Sequence, residues 1–184
     1  MKNLPEIELL ISIAKVLDGL KIDYYVTGGF AVSVWAKPRF TADIDLIIKM
    51  SHREKPEFAQ KIKNIFPKGH LDLDQIDTAL ARHGEFNFID PETGMKVDFW
   101  VAKDEDFEKE CFKNSQTKDI GYKVKFISPE DLIVSKLIWY SQTNSSRHIE
   151  DAQSVLKLAK VDQKYLKKWS LKLKLEKEFN ELTN

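Results

Sequence analysis

Val26-Thr27-Gly28-Gly29-Phe30-Ala31-Val32 and, after a spacer, Thr41-Ala42-Asp43-Ile44-Asp45-Leu46-Ile47-Ile48 make up the stretch that decides how this chain is read. A glycine pair ends one apolar strand, and two aspartates open the next. Residues two apart in a strand project from one face, so Asp43 and Asp45 share a space, with Cα atoms roughly 7 Å apart at a rise of about 3.3 Å per residue. Two acids on one face of a Leu-Ile-Ile strand repel each other unless a cation lies between them. Such a pair can converge on one or two divalent ions, as phosphoryl-transfer chemistry requires.

Working outward, Leu4 to Leu20 carries a helical apolar stripe, and Ile22 to Thr27 reads as a strand. Gly28-Gly29 predicts a tight turn into a short helix, Phe30 to Trp35, which Pro38 keeps from running on. Lys55 to Phe66 and Asp74 to His83 read as helices. Glu85 to Ile89 and Lys96 to Val101 read as a hairpin turning at Asp90-Pro91-Glu92-Thr93-Gly94. A short helix follows near Asp106 to Phe112, and Tyr122 to Ile127 is strand-like. Ser128-Pro129-Glu130-Asp131 is a strong helix start, and everything after it reads helical. The order predicts an α/β (α+β) chain, with a core over residues 1–127 and a C-terminal helical region over 128–184.

Bulk composition narrows the class. The 184 residues are 42% hydrophobic and 32% charged, which suits a folded domain and excludes a largely disordered chain. Twenty-nine basic and 29 acidic residues cancel, so no global field recruits nucleic acid or a membrane. One cysteine, Cys111, rules out an intramolecular disulfide framework and suits a reducing compartment. The N-terminus lacks the apolar core of a signal peptide, and no run approaches membrane-spanning length. A cytoplasmic protein with no membrane partner is the expectation.

The chemistry-bearing constellation is Gly28-Gly29, Asp43-Ile44-Asp45 and, on a later strand, Lys96-Val97-Asp98-Phe99. The glycines let backbone approach a triphosphate, and the helix after them directs N–H groups at phosphate oxygens. Asp43 and Asp45 are the expected ligands of two Mg²⁺ ions. Asp98, with Val97 and Phe99 on the opposite strand face, is the expected third carboxylate, a metal ligand that can also accept the nucleophile's proton. Arg39 and Thr41 flank the approach to the aspartates, where they can touch phosphate or acceptor; they are equally readable as ordinary loop residues.

This pattern resembles the nucleotidyltransferase superfamily and, within it, the abortive-infection, type IV toxin kind. The resemblance rests on Tyr25-Val26-Thr27-Gly28-Gly29, on Arg39-Phe40-Thr41-Ala42-Asp43-Ile44-Asp45-Leu46, on Val97-Asp98-Phe99, and on Ser128 to Leu137 with Arg147 to Asp151 after them. It implies a mixed sheet flanked by helices, NTP and Mg²⁺ as substrate and cofactor, and transfer of a nucleoside monophosphate to a hydroxyl on tRNA or a protein. An antitoxin is the implied partner. The resemblance also allows Lys136 to face the nucleotide, although composition alone makes it a surface lysine. Many relatives have serine where this chain has Gly29, which leaves backbone N–H groups with Thr27 or Ser33 to bind phosphate. Two alternatives are a small-molecule (antibiotic) nucleotidyltransferase and a non-catalytic nucleotide-binding module.

Other features read more plainly. Leu71-Asp72-Leu73-Asp74 repeats the aspartate spacing without a glycine turn, and Asp74 is the expected N-cap of the next helix. His148 and Asp151 share a helix face and read as a salt-bridged helix start. The lysines from Lys157 to Lys177, interleaved with Tyr165 and Trp169, can grip RNA but read first as the solvated face of an amphipathic helix.

Overall fold

A computed structural model describes residues 4–39 and 41–183; Phe40, within the motif stretch, and the first three residues lie outside the described residues. Helix α1 (Pro5–Gly19) leads into β1 (Asp23–Thr27), α2 (Gly28–Trp35), β2 (Asp43–Lys49) and α3 (Lys55–Ile65). Next come β3 (His70–Leu71), α4 (Leu73–Arg82), the hairpin β4 (Glu85–Asp90) and β5 (Met95–Val101), and α5 (Asp106–Asn114). A second hairpin, β6 (Gln116–Asp119) and β7 (Lys123–Phe126), precedes α6 (Pro129–Thr143), α7 (Ser146–Leu158), α8 (Gln163–Lys172) and α9 (Glu176–Thr183).

The strands form one mixed sheet in the order β3-β4-β5-β2-β1-β7-β6. The pairs β1–β2, β3–β4, β4–β5 and β6–β7 are antiparallel, whereas β2–β5 and β1–β7 are parallel. Strand alternation gives the sheet two unlike faces. On one, Ile44, Leu46 and Ile48 of β2, Val97 and Phe99 of β5, and Phe86 and Phe88 of β4 are fully buried. Phe58 of α3 meets Phe86 and Phe99 edge-on, with ring centroids 6.0 and 5.5 Å away, while those two rings stack at 4.9 Å. The same alternation sends Asp43, Asp45, Ile47, Lys96, Asp98, Trp100, Glu85 and Asn87 to the other face.

Helix α6 starts as the sequence predicts: the Ser128 hydroxyl accepts the Asp131 N–H at 3.1 Å, and proline opens the helix. The buried Asp131 carboxylate then accepts hydrogen bonds from Ser128 Oγ at 2.7 Å, from Asn114 of α5 at 3.3 Å and from Tyr165 of α8. That network fixes α6 against its neighbours, and α6 in turn carries Lys136.

Several boundaries move. The α2 helix begins at Gly28 itself, because the turn and the first helical residue coincide. The N-cap of α4 is Asp72, whose carboxylate accepts the Asp74 and Gln75 N–H groups at 2.9 and 3.2 Å, so Asp74 lies inside the helix. Strands β3 and β6 are short and polar and leave no periodic signal. The basic C-terminal stretch is not one helix: α7 stops at Leu158, Asp162 caps α8, and Lys174 adopts a φ of 58° before α9. Its Leu166 and Trp169 are buried, as an amphipathic face demands. Among the described residues, no helix is long and apolar enough to cross a membrane.

Candidate active site

Parallel pairing of β2 with β5 sets Asp43 opposite Lys96 and Asp45 opposite Asp98. Thr27, the last residue of β1, lies opposite Asp45 on the other side. The three acids predicted from sequence therefore meet on one face, with neighbouring strands about 4.8 Å apart. Gly28 has a φ of +60°, and a Cβ there would fall 1.8 Å from Asp45 Oδ2. The Asp45 carboxylate thus lies directly on the glycine backbone at the start of α2, where the helix's positive end faces it. Gly28→Ala meets both the left-handed backbone and this clash, and is expected to cost about 2 kcal/mol of stability in a urea titration.

Asp98 is 5% exposed; Lys96 Nζ holds its Oδ2 at 2.8 Å, while its Oδ1 is buried with no hydrogen-bond partner. Burial, and then the charge on Asp98, push the Asp45 pKa above its ordinary value; Lys136 and Lys96 pull the other way without cancelling this. Glu85 reaches the same face from β4, and burial followed by the charge on Asp98 raises it to about 7. The site therefore concentrates negative charge in a partly dry place. That is costly for a fold and is useful where a cation is to be held.

Among the described residues, no three His, Cys, Asp or Glu side chains already converge as a metal cage. The donor set nevertheless fits a hard divalent cation: oxygen ligands only, one of them an orphaned buried carboxylate oxygen, and an acid that is hard to ionise without a counter-charge.

The residues predicted to touch phosphate divide. Thr27 and Gly28 lie at the acids. At Gly29, a Cβ would come within 2.6 Å of Thr41 Oγ1, so the Thr41 hydroxyl fills the space a side chain there would need, and it donates to the Asp43 carbonyl at 3.2 Å. Ser33 is engaged locally, donating to the Gly29 carbonyl at 3.2 Å. Arg39 makes a forked pair with Asp151 of α7: Nε to Oδ1 at 2.9 Å and Nη2 to Oδ2 at 3.0 Å.

Lys136 is not a surface residue. It is 7% exposed, and its Nζ binds Asp151 Oδ2 at 2.9 Å. Burial works to raise Asp151, but hydrogen bonds from Arg39 and then Lys136 outweigh it and hold the carboxyl below its usual range. Asp151 is thus paired with Arg39 and Lys136, whereas the sequence suggested a simple salt-bridged helix start with His148. Trp139, three residues beyond Lys136 on the same helix, is 42% exposed.

The sequence assigned no role to Glu85, and none to Lys96 beyond its place in the strand of Asp98. Both were in view as alternate residues of the hairpin strands, on the faces shared with Asn87 and Asp98.

None of the curated proteins compared with the sequence matches it. Among solved structures, the chain is similar to the antibiotic-resistance factor ANT(2'')-Ia in solution, with a TM-score of 0.63 and 16% identity over 96% of this chain and 95% of that one. An antigenic nucleotidyltransferase-like protein from Paracoccidioides brasiliensis superposes with a TM-score of 0.56 and 24% identity over 91% and 87%. The lincosamide antibiotic adenylyltransferase LnuA gives 0.52 and 15% over 83% and 98%. At these identities the likeness establishes the fold. Residues 13–182 match the nucleotidyl transferase AbiEii toxin family of type IV toxin–antitoxin systems, and the chain is a member of that family of nucleotidyltransferase enzymes.

Proposed function

We propose that this enzyme moves a nucleoside monophosphate from an NTP to a hydroxyl on tRNA or on a protein, with Mg²⁺ as cofactor, as the toxin partner of a cognate antitoxin. The observation that carries the reading is the parallel register Asp45–Asp98, which puts three acids beside the glycine turn. The single thiol, Cys111, is buried and free, which fits action in the cytoplasm.

Asp43, Asp45 and Asp98 would hold Mg²⁺, which would neutralise phosphate charge and sharpen the acceptor hydroxyl as a nucleophile. Thr27, Gly28 and Gly29 orient the triphosphate against the start of α2. Thr41 and Arg39 flank the approach to the acids, where they can touch phosphate or acceptor. The Asp98 carboxylate accepts the proton of the acceptor hydroxyl as that hydroxyl's oxygen attacks the α-phosphorus. The bond to the β-phosphate oxygen breaks, pyrophosphate leaves, and Lys136 offsets its charge.

The test supplies each α-labelled NTP with Mg²⁺, total RNA and cell lysate. Label is expected in a product destroyed by ribonuclease or by protease; no transfer from any of the four nucleotides to any acceptor would remove the proposal. The likeness to two antibiotic-modifying folds favours a second reading, transfer to a small-molecule hydroxyl. Salt separates the two, because an RNA acceptor loses affinity steeply as ionic strength rises and an antibiotic much less so.

A further inference from the structure

One side of the acidic face is bounded by aromatic rings. Trp100 is two residues beyond Asp98 on the same face of β5, about 7 Å along the strand, and is paired across the sheet with Ile47 and Glu85. Trp139 lies one turn beyond Lys136 on α6, with its ring 5.9 Å from Trp100 and inclined at 67°. His148, one turn before Asp151 on α7, lies 6.2 Å from Trp139 and nearly parallel to it, at 26°. Three elements thus converge on one aromatic row, and each row member is a neighbour of a charged site residue: Asp98, Lys136 or Asp151.

The row is not simply core. A tryptophan contributes most when buried, yet Trp139 leaves 42% of its surface open. His148 Nδ1 is buried with no partner, and burial, then Lys136, lower the pKa of the ring. The half-open ring of Trp139, one helical turn from Lys136 and beside Trp100, presents π surface at the edge of the acidic face.

We propose that Trp100, Trp139 and His148 form a stacking shelf for a nucleobase, which Trp139 contacts face-on. The shelf rests on the nucleotidyl-transfer reading and specifies where the base of the incoming NTP, or of the acceptor strand's terminal nucleotide, is held. Base-on-aromatic stacking amounts to about 1–3 kcal/mol, or roughly 5- to 150-fold in affinity, and tolerates any base.

The test compares binding of Mg²⁺–NTP, Mg²⁺–tripolyphosphate and a short single-stranded RNA to wild type, Trp139→Phe and Trp139→Leu. Leucine keeps the site apolar but removes the ring, and a melting curve establishes that each variant is folded. The expected result is a 10- to 100-fold loss of NTP affinity in Trp139→Leu, unchanged tripolyphosphate binding, and near wild-type behaviour in Trp139→Phe. The same pattern in the RNA arm with NTP unchanged assigns the shelf to the acceptor's base. NTP and RNA affinities that both ignore the leucine overturn the shelf. Ring-dependent RNA binding by a protein that binds neither NTP nor tripolyphosphate would leave the shelf standing and remove the phosphate-site reading.

Discussion

Asp45→Asn is expected to lower nucleotidyl transfer by at least about 1,000-fold, the equivalent of roughly 4 kcal/mol of barrier, while the folded protein becomes slightly more stable. The first effect follows from position. Asp45 lies between Thr27 of β1 and Asp98 of β5, with its carboxylate against the Gly28 backbone, so it adjoins both the phosphate turn and the third acid. The amide keeps the shape and removes the charge that would help hold the proposed divalent ion.

The stability effect follows from the direction of the Asp45 pKa. Burial and Asp98 raise it, so the ionised carboxylate is less favourable in the fold than in the unfolded chain. An acid raised in this way subtracts stability once pH climbs through its unfolded value, and at neutral pH that penalty is present. Asparagine removes it, and a rise in Tm of about 2 °C is expected. Mg²⁺ should raise the Tm of wild type, because a ligand held by the folded state stabilises it, and should do so far less in the variant. A variant that keeps its activity, or that melts well below wild type, would show that Asp45 serves the fold and not the chemistry.

The acids were legible because a strand has a period of two: Asp43-Ile44-Asp45 and Val97-Asp98-Phe99 each declare which face is apolar. The pairing of β2 with β5 was not legible. It comes from a crossover through α3, β3, α4 and β4, and residue patterns within a strand do not choose its neighbour. Composition alone could not place Lys136, for a related reason. Helix α6 has buried residues on several sides, among them Leu132, Ile133, Val134 and Leu137, so it presents no single polar face on which a lysine must lie. Glu85 escaped notice because its importance comes entirely from the cross-strand approach to Asp98. The break between α7 and α8 carries neither glycine nor proline; only the capping aspartate at 162 marks it.

Asp151→Ala is expected to be the most destabilising of the site substitutions, at about 3 kcal/mol, or a fall in Tm of roughly 6–12 °C. Asp151 is 5% exposed and accepts from two cations at 2.9–3.0 Å. Removing it leaves the buried Lys136 ammonium without its carboxylate, and an uncompensated buried charge costs more than the intact pair ever contributed. The lower end of the usual range applies because Arg39 keeps a quarter of its side chain in solvent. Lys136→Met supplies the control. It fills the space without charge, so it should cost less stability, while transfer falls about 10- to 100-fold through loss of the cation beside Asp45. The double substitution should then cost at least about 1 kcal/mol less than the two single ones added together, because it removes the stranded ammonium along with its partner. Raising salt should leave the Asp151→Ala deficit almost unchanged, since ions screen a buried pair poorly. Strict additivity, or a deficit that disappears in salt, would make this an exposed contact and deprive the helical side of the site of the clamp that holds Lys136 over the acids.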